Sequence, residues 1–70
     1  MVLPATLENI QIGRVIYWNP ETVPLDKRSR SCVGKVVDIG PNYVKLSYPG
    51  QGPLLYKIEE LALCGVIYNP

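Results

Sequence analysis

The sequence predicts an all-β domain, a small five-stranded antiparallel barrel with one short helical turn before the last strand. Short runs of β-prone residues recur along the 70 residues, and clusters of Gly, Pro and Asn separate them. Two of these runs flank a Gly-Pro-Asn cluster at positions 40–42, which is typical of a hairpin. The barrel is expected to be closed or half-open, since closure hides the edges that so short a sheet would otherwise expose.

The hairpin at residues 33–48 is the clearest signal, and its register follows from the turn. With Pro41 and Asn42 at the centre of the turn, position 39 faces 44, 38 faces 45, 37 faces 46 and 36 faces 47. Asp38 then opposes Lys45 on the solvent side, whereas a slip by one residue would mix charge into the core. The predicted apolar face consists of Val37, Ile39, Val44 and Leu46.

The first half of the chain contains one further strand between two irregular segments. Residues 1–9 include a proline and no clear periodicity, which predicts an extended N-terminal arm. Residues 14–18 are strongly β-prone and form the expected first strand, with residues 10–12 leading into it. Residues 19–31 contain two prolines and no alternation, so we expect a long loop.

The second half continues with tight connections. The Pro-Gly-Gln-Gly-Pro run at residues 49–53 predicts a second turn. Residues 54–58 follow as a strand, and residues 59–63 have the composition of a single helical turn. Residues 64–68 form the expected last strand.

Length and composition indicate one domain over residues 1–70. Hydrophobic residues make up 47% of the chain, which is enough to build a core. Some apolar residues would then remain on the surface, so a homo-oligomer is one expectation. The net charge is +1, which does not suggest a membrane or nucleic-acid partner. The N-terminal residues lack the pattern of a signal peptide, and no stretch is long and apolar enough to span a membrane, so the expected location is the cytoplasm.

The sequence does not indicate an enzyme, a cofactor or a metal site. The chain has no histidine, which leaves a Ser or Cys nucleophile without its usual base and a zinc ion without a usual ligand set. Cys32 and Cys64 are expected to be small buried hydrophobic residues. A disulfide or redox pair is the alternative, because both cysteines flank predicted strands.

The order of elements resembles the SH3-like small barrels, and within them the Tudor-like and KOW-like modules. The Tudor-like pattern is a strand pair, a Gly-x-Gly turn at residues 50–52 and an acidic-Leu helical turn at residues 58–61. The KOW-like pattern, found in modules of ribosomal and transcription factors, is the run Gly-Lys-Val-Val at residues 34–37 beside a basic loop.

The Tudor-like resemblance implies an aromatic cage that holds a methylated cation against several ring faces. Tyr48 lies just before the Gly-x-Gly turn, and Tyr17 or Trp18 ends the first strand, which are the positions of cage walls. The sequence departs from the cage pattern at Gln51 and Pro53, where such readers carry an aromatic residue and an asparagine. Core packing or a protein interface is therefore the favoured role for these aromatic residues.

The only basic cluster of the sequence lies at the end of the long loop. Two kinds of partner are considered for it, nucleic acid and protein. Arg28, Arg30 and Lys35 would contact phosphates if the KOW-like resemblance extends to nucleic-acid binding. The low net charge instead favours a protein partner bound by loop 19–31 and an adjoining aromatic groove. The sequence thus predicts a non-catalytic binding module. Its predicted binding residues are Tyr17, Trp18, Lys27, Arg28, Arg30, Lys35, Tyr48 and Gln51.

Overall fold

A computed structural model describes residues 1–69 of the chain. The strands are β1 (Val2–Pro4), β2 (Val15–Trp18), β3 (Gly34–Ile39), β4 (Tyr43–Tyr48), β5 (Gln51–Lys57) and β6 (Gly65–Tyr68). Helix α1 (Ile58–Cys64) joins β5 to β6, and a short 3₁₀ helix (Leu25–Lys27) lies in loop 19–31. The strands form one antiparallel sheet in the order β1–β6–β2–β3–β4–β5.

The core lies between one face of the sheet and α1. Strands β2, β3, β4 and β6 supply β-branched and leucine side chains, and α1 contributes the fully buried Leu61. The segment between β1 and β2 adds Ala5 and Ile10. The buried cluster consists of Ala5, Ile10, Ile16, Val33, Val36, Val44, Leu46, Leu61 and Ile67.

The antiparallel all-β class and the helical turn before the last strand are confirmed, but the sheet of the described residues is not closed into a barrel and has six strands instead of the predicted five. Within residues 1–69, β1 and β5 stand at opposite ends of the sheet and do not pair. The predicted N-terminal arm contains a sixth strand, β1, in which Val2 pairs with Tyr68 and Pro4 with Val66. Because β1 occupies the edge of β6 that does not face β2, that edge is closed to β5.

The hairpin register is confirmed next to the turn and wrong beyond it. Ile39 pairs with Val44 and Asp38 with Lys45, as predicted, but Val36 then pairs with Leu46. One residue of β3, Val37, is therefore inserted without a partner as a β-bulge. The bulge reverses the alternation of the strand. The predicted core residue Val37 is 43% exposed, Val36 is fully buried, and Lys35 faces solvent instead of the core.

The second turn is shorter than predicted. Tyr48 pairs with Gln51, so only Pro49 and Gly50 form the turn, and the remaining residues of the predicted 49–53 turn belong to β5. Gly50 has a φ of +83°, which Gly adopts without strain and which, with the preceding proline, allows a two-residue reversal.

The two adjacent valines of β3 give a direct test of the bulge. We expect Val36→Ala to lower the free energy of unfolding by about 2 kcal/mol, because it removes two buried methyl groups and leaves a cavity. Val37→Ala should cost less than about 1 kcal/mol, since its side chain is partly in solvent. Urea unfolding of both variants measures the difference. Equal losses, or a larger loss for Val37, would contradict the bulge.

Gly65 marks the closest approach of α1, β2 and the N-terminal segment. A Cβ atom at this position would lie 2.6 Å from Cγ2 of Ile16, 3.1 Å from the carbonyl oxygen of Leu61 and 3.3 Å from Cβ of Ala5. The backbone of Gly65 is extended, with φ −123° and ψ 150°, so any residue can adopt it. The requirement for glycine at this point is therefore one of space.

We expect Gly65→Ala to lower the free energy of unfolding by about 1–3 kcal/mol, because the added methyl group overpacks a buried junction. Gly52→Ala is the matched control, since a Cβ at Gly52 has no neighbour within 4 Å. The control should change stability by at most about 1 kcal/mol in either direction. Thermal unfolding followed by circular dichroism compares the two, and an unaffected Gly65→Ala would show that the junction is loosely packed.

Candidate binding site

Loop 19–31 is fixed to the body of the domain by Trp18. This residue ends β2 on the same side as the buried Ile16, and its ring packs half-buried against the core. The indole Nε1 donates a hydrogen bond of 2.8 Å to the carbonyl oxygen of Arg30. The end of the loop is thereby held over the start of the loop.

The guanidinium group of Arg30 lies between two aromatic rings. Its Cζ is 5.4 Å from the ring centroid of Trp18 and 5.7 Å from that of Tyr48, within the range of cation–π attraction. Its Nε donates to the carbonyl oxygen of Val33 at 3.0 Å, and its Nη2 donates to the hydroxyl of Tyr56 at 2.7 Å. We call Trp18, Arg30, Tyr48 and Tyr56 the arginine cluster.

The arginine cluster occupies the place of the aromatic cage implied by the Tudor-like resemblance. The two rings that would form cage walls, Trp18 and Tyr48, flank a cation of the chain itself. The hydroxyl of Tyr48 lies 2.9 Å from the Oγ of Ser31 and accepts a hydrogen bond of 3.3 Å from its backbone N–H. Both rings are therefore within cation–π range of a cation that the chain itself supplies.

The other basic residues of the predicted site lie on the loop and on β3. The Nε of Arg28 donates to the carbonyl oxygen of Val23 at 3.1 Å, so its guanidinium is engaged with the loop backbone. Lys27 is exposed in the 3₁₀ helix, and Lys35 is exposed on β3 opposite Val15. Gln51 is exposed at the start of β5, where it pairs with Tyr48.

Tyr17 lies on the other face of the sheet from the arginine cluster, because successive strand residues point to opposite sides. Its ring packs edge-to-face against Tyr68, with ring centroids 5.1 Å apart and an interplanar angle of 64°. Val66, the partner of Tyr17 on β6, and Pro4, the partner of Val66 on β1, share this face. We call this surface of β1, β6 and β2 the outer face.

A groove of about 420 Å³ lies on the outer face beside the beginning of loop 19–31. Its walls are formed by β1, β6 and the first loop residues, and we call it the outer groove. The outer groove is lined by Val2, Leu3, Pro4, Asn19, Pro20, Glu21, Val66 and Tyr68.

The polar side of the outer groove is held in place by hydrogen bonds. The backbone N–H of Asn19 donates to the carbonyl oxygen of Cys64 at 2.8 Å, and the hydroxyl of Thr22 donates to that of Leu63 at 2.6 Å. The side-chain Oδ1 of Asn19 accepts a hydrogen bond of 2.9 Å from the backbone N–H of Glu21. Among the described residues that line the groove, Glu21 carries the one carboxylate side chain.

Tyr17, one of the predicted binding residues, lies next to the outer groove, and the predicted binding loop 19–31 contributes Asn19, Pro20 and Glu21 to its lining. Tyr68 and Val2 were not predicted. Tyr68 meets Tyr17 only because β6 pairs with β2 across about fifty residues of chain. Hydrophobic residues near both ends of the chain were the sequence feature that could have indicated this surface. The two ends pair only in the folded structure, however, so local sequence does not place them together.

The described residues show no arrangement typical of a metal or thiol centre. Within residues 1–69, no group of three or more His, Cys, Asp or Glu side chains is placed to hold a metal ion. Cys32 and Cys64 are free and half-buried, so the disulfide alternative is not realised. Burial raises the pKa of the Cys64 thiol above its usual value, which makes it a weak nucleophile at neutral pH. No helix in this part of the chain is long and apolar enough to cross a membrane.

Comparison of the chain with protein-family models, with curated proteins and with solved structures found no match.

Replacing Arg30 with Lys tests the arginine cluster. A lysine ammonium cannot stack as a flat cation between two rings while donating in the fixed directions of a guanidinium. We expect Arg30→Lys to lower the free energy of unfolding by about 1–3 kcal/mol and to shift the fluorescence of the single tryptophan, Trp18, to longer wavelength.

Lys27→Arg is the control, because Lys27 is an exposed cation of the same loop and its replacement keeps the charge. The control should change stability by less than about 0.5 kcal/mol. If Arg30→Lys behaves like the control in both unfolding and fluorescence, the cation does not hold the loop.

Proposed function

We propose that this domain is a non-catalytic protein-binding module and that the outer groove is its binding site. The observation that supports this most strongly is the concave apolar surface that the exposed Tyr68, Val2 and Pro4 form around the buried Val66 on the outer face. Grooves with exposed aromatic and aliphatic walls are typical of sites that bury side chains of a partner. The adjoining Tyr17 extends the apolar area beyond the groove.

The charge of the outer groove indicates which kind of segment fits it. Glu21 stands at the rim, and no basic side chain lines the groove among the described residues. A lysine or arginine of the partner can lay its aliphatic stem along Tyr68 and bring its cation to the carboxylate. The proposed partner is therefore a protein segment that combines apolar residues with one basic residue.

The use of cations inside the domain favours a protein over nucleic acid. Arg30 is enclosed by the arginine cluster, and Arg28 is bonded to the loop backbone. Lys27 and Lys35 remain exposed on separate elements, the 3₁₀ helix and β3. Because affinity for phosphates depends on several cations acting together, the engagement of Arg28 and Arg30 within the domain weakens the case for nucleic-acid binding through the loop.

Our proposal includes a relationship to the SH3-like small barrels, in an open form of the sheet. The hairpin of β3 and β4 and the helical turn before β6 support this relationship. A methyl-reading function is not part of the proposal, since Arg30 of the chain lies between the rings of Trp18 and Tyr48.

The function is tested by selecting binders from a displayed library of random peptides on the immobilised domain. We expect the selected peptides to combine apolar residues with a lysine or arginine. Tyr68→Ser should weaken binding of a selected peptide at least about tenfold, equivalent to about 1.4 kcal/mol, by removing apolar contact. Glu21→Lys should weaken it similarly, because it opposes like charges.

Leu25→Ser is the control, because Leu25 is a highly exposed apolar residue that does not line the groove. Its replacement should leave peptide affinity within about twofold, less than about 0.5 kcal/mol. Selection of no peptides, or equal affinity for all three variants, would contradict the proposal.

A further inference from the structure

The free edge of β5 is the longest open strand edge among the described residues. Because the sheet is not closed, β1 and β5 each pair on one side only. Strand β1 has three residues, whereas β5 has seven. An unpaired edge of this length presents backbone donors and acceptors to any strand that can reach it.

Two independent hydrogen bonds show which backbone groups of β5 face outward. The N–H of Gly40 donates to the carbonyl oxygen of Tyr43, so the backbone polar groups of Tyr43 point toward β3. Because these groups alternate in direction along a strand, those of Val44 point toward β5, where Val44 pairs with Tyr56. The N–H of Ile58 bonds the carbonyl oxygen of Asn42, which gives the same phase. Tyr56 therefore bonds β4, and the N–H and C=O groups of its two neighbours, Leu55 and Lys57, point away from the sheet.

The side chains at this edge are open to solvent as well. Leu55 is 65% exposed, and Lys57 is exposed beside it. Leu55 is thus a large apolar side chain located where a new strand would cover it. Covering it would remove apolar surface from water and satisfy the outward backbone groups in one step.

We propose that two copies of this chain pair through β5, antiparallel and centred on Tyr56. Leu55 of each copy then lies opposite Lys57 of the second copy, and these two pairs make four backbone hydrogen bonds. The apolar side chain of Leu55 packs along the aliphatic stem of the opposite lysine, whose ammonium stays in water. The result is one continuous sheet that spans both copies.

The chemistry of β5 excludes the two neighbouring symmetric registers. Centring the pair on Leu55 would place Pro53 opposite Lys57 of the second copy, where the proline ring would occupy the site of the missing N–H. Centring it on Lys57 would set two like charges face to face. The centre at Tyr56 avoids both problems. Lys57 then faces Leu55 instead of a second lysine, and Pro53 would face position 59, which lies in α1 and not in the strand.

A second copy is the proposed occupant because both partners would use the same edge, that of β5. Every copy carries the same outward groups in the same phase, so the pairing is complete without any further component. The site lies at the opposite end of the sheet from β1 and the outer groove, and it does not depend on what the groove binds.

The proposal is tested by sedimentation equilibrium over a series of protein concentrations. We expect the mass to rise with concentration from the 7.8 kDa of one chain to twice that value. Leu55→Lys should weaken association at least about tenfold, because each new ammonium faces Lys57 of the second copy. Leu55→Glu should retain association, because the new carboxylate faces the same lysine.

Leu63→Lys is the matched control, since Leu63 is 68% exposed on α1 and does not belong to the β5 edge. It should leave the association constant within about twofold. A monomer at every concentration would overturn the proposal. Equal weakening by Leu55→Lys and Leu55→Glu would overturn the register, because it would place position 55 opposite position 55 of the second copy.

Discussion

The guanidinium of Arg30 is held between Trp18 of β2 and Tyr48 of β4, and it donates to the hydroxyl of Tyr56 on β5. A single side chain of the loop thus connects three strands that come from different parts of the sequence. Loop 19–31 is long and, apart from one 3₁₀ turn, irregular, so few of its backbone groups are bonded within the loop. Arg30 attaches the end of this loop to the sheet, since cation–π contacts and directional hydrogen bonds act on the same group.

This anchoring separates the two faces of β2 into different roles. Trp18 points toward the core side and contributes to the arginine cluster, whereas Tyr17 points to the outer face and contacts Tyr68. Two adjacent aromatic residues therefore lie in different environments, one in the arginine cluster and one on the outer face. The charge of the basic loop is largely used within the domain, and the surface that remains for partners is mainly apolar with Glu21 at its rim.

The open sheet has two ends with different character. At one end β1 is short and is joined to β6, with the backbone N–H of Asn69 donating to the carbonyl oxygen of Met1. At the other end β5 offers a longer edge with Leu55 exposed. Proline at position 53 and lysine at position 57 restrict that edge, because both residues disfavour indiscriminate strand pairing. An edge restricted in this way permits few registers.

Local patterns in the sequence were sufficient for the β class, the turn at Pro41 and Asn42, and the helical turn before the last strand. The hairpin register next to the turn also followed, because a tight turn fixes the residues beside it. Of the predicted binding residues, Trp18, Arg30 and Tyr48 do meet, but they meet as contacts within the domain, which the sequence did not predict.

The tertiary structure decided which faces and edges these elements use. The hairpin pattern did not reveal the bulge at Val37, because Val36 and Val37 have identical side chains and either could face the core. The position of Lys35 distinguishes the two arrangements, since only a buried Val36 keeps Lys35 in solvent. The outer groove and the open sheet both follow from the pairing of β1 with β6, which joins the two ends of the chain. Sequence alone determined five of the six strands and the helical turn, since propensity and turn chemistry act over a few residues. Only folding determined their pairing, since contacts between distant segments compete for the same edges.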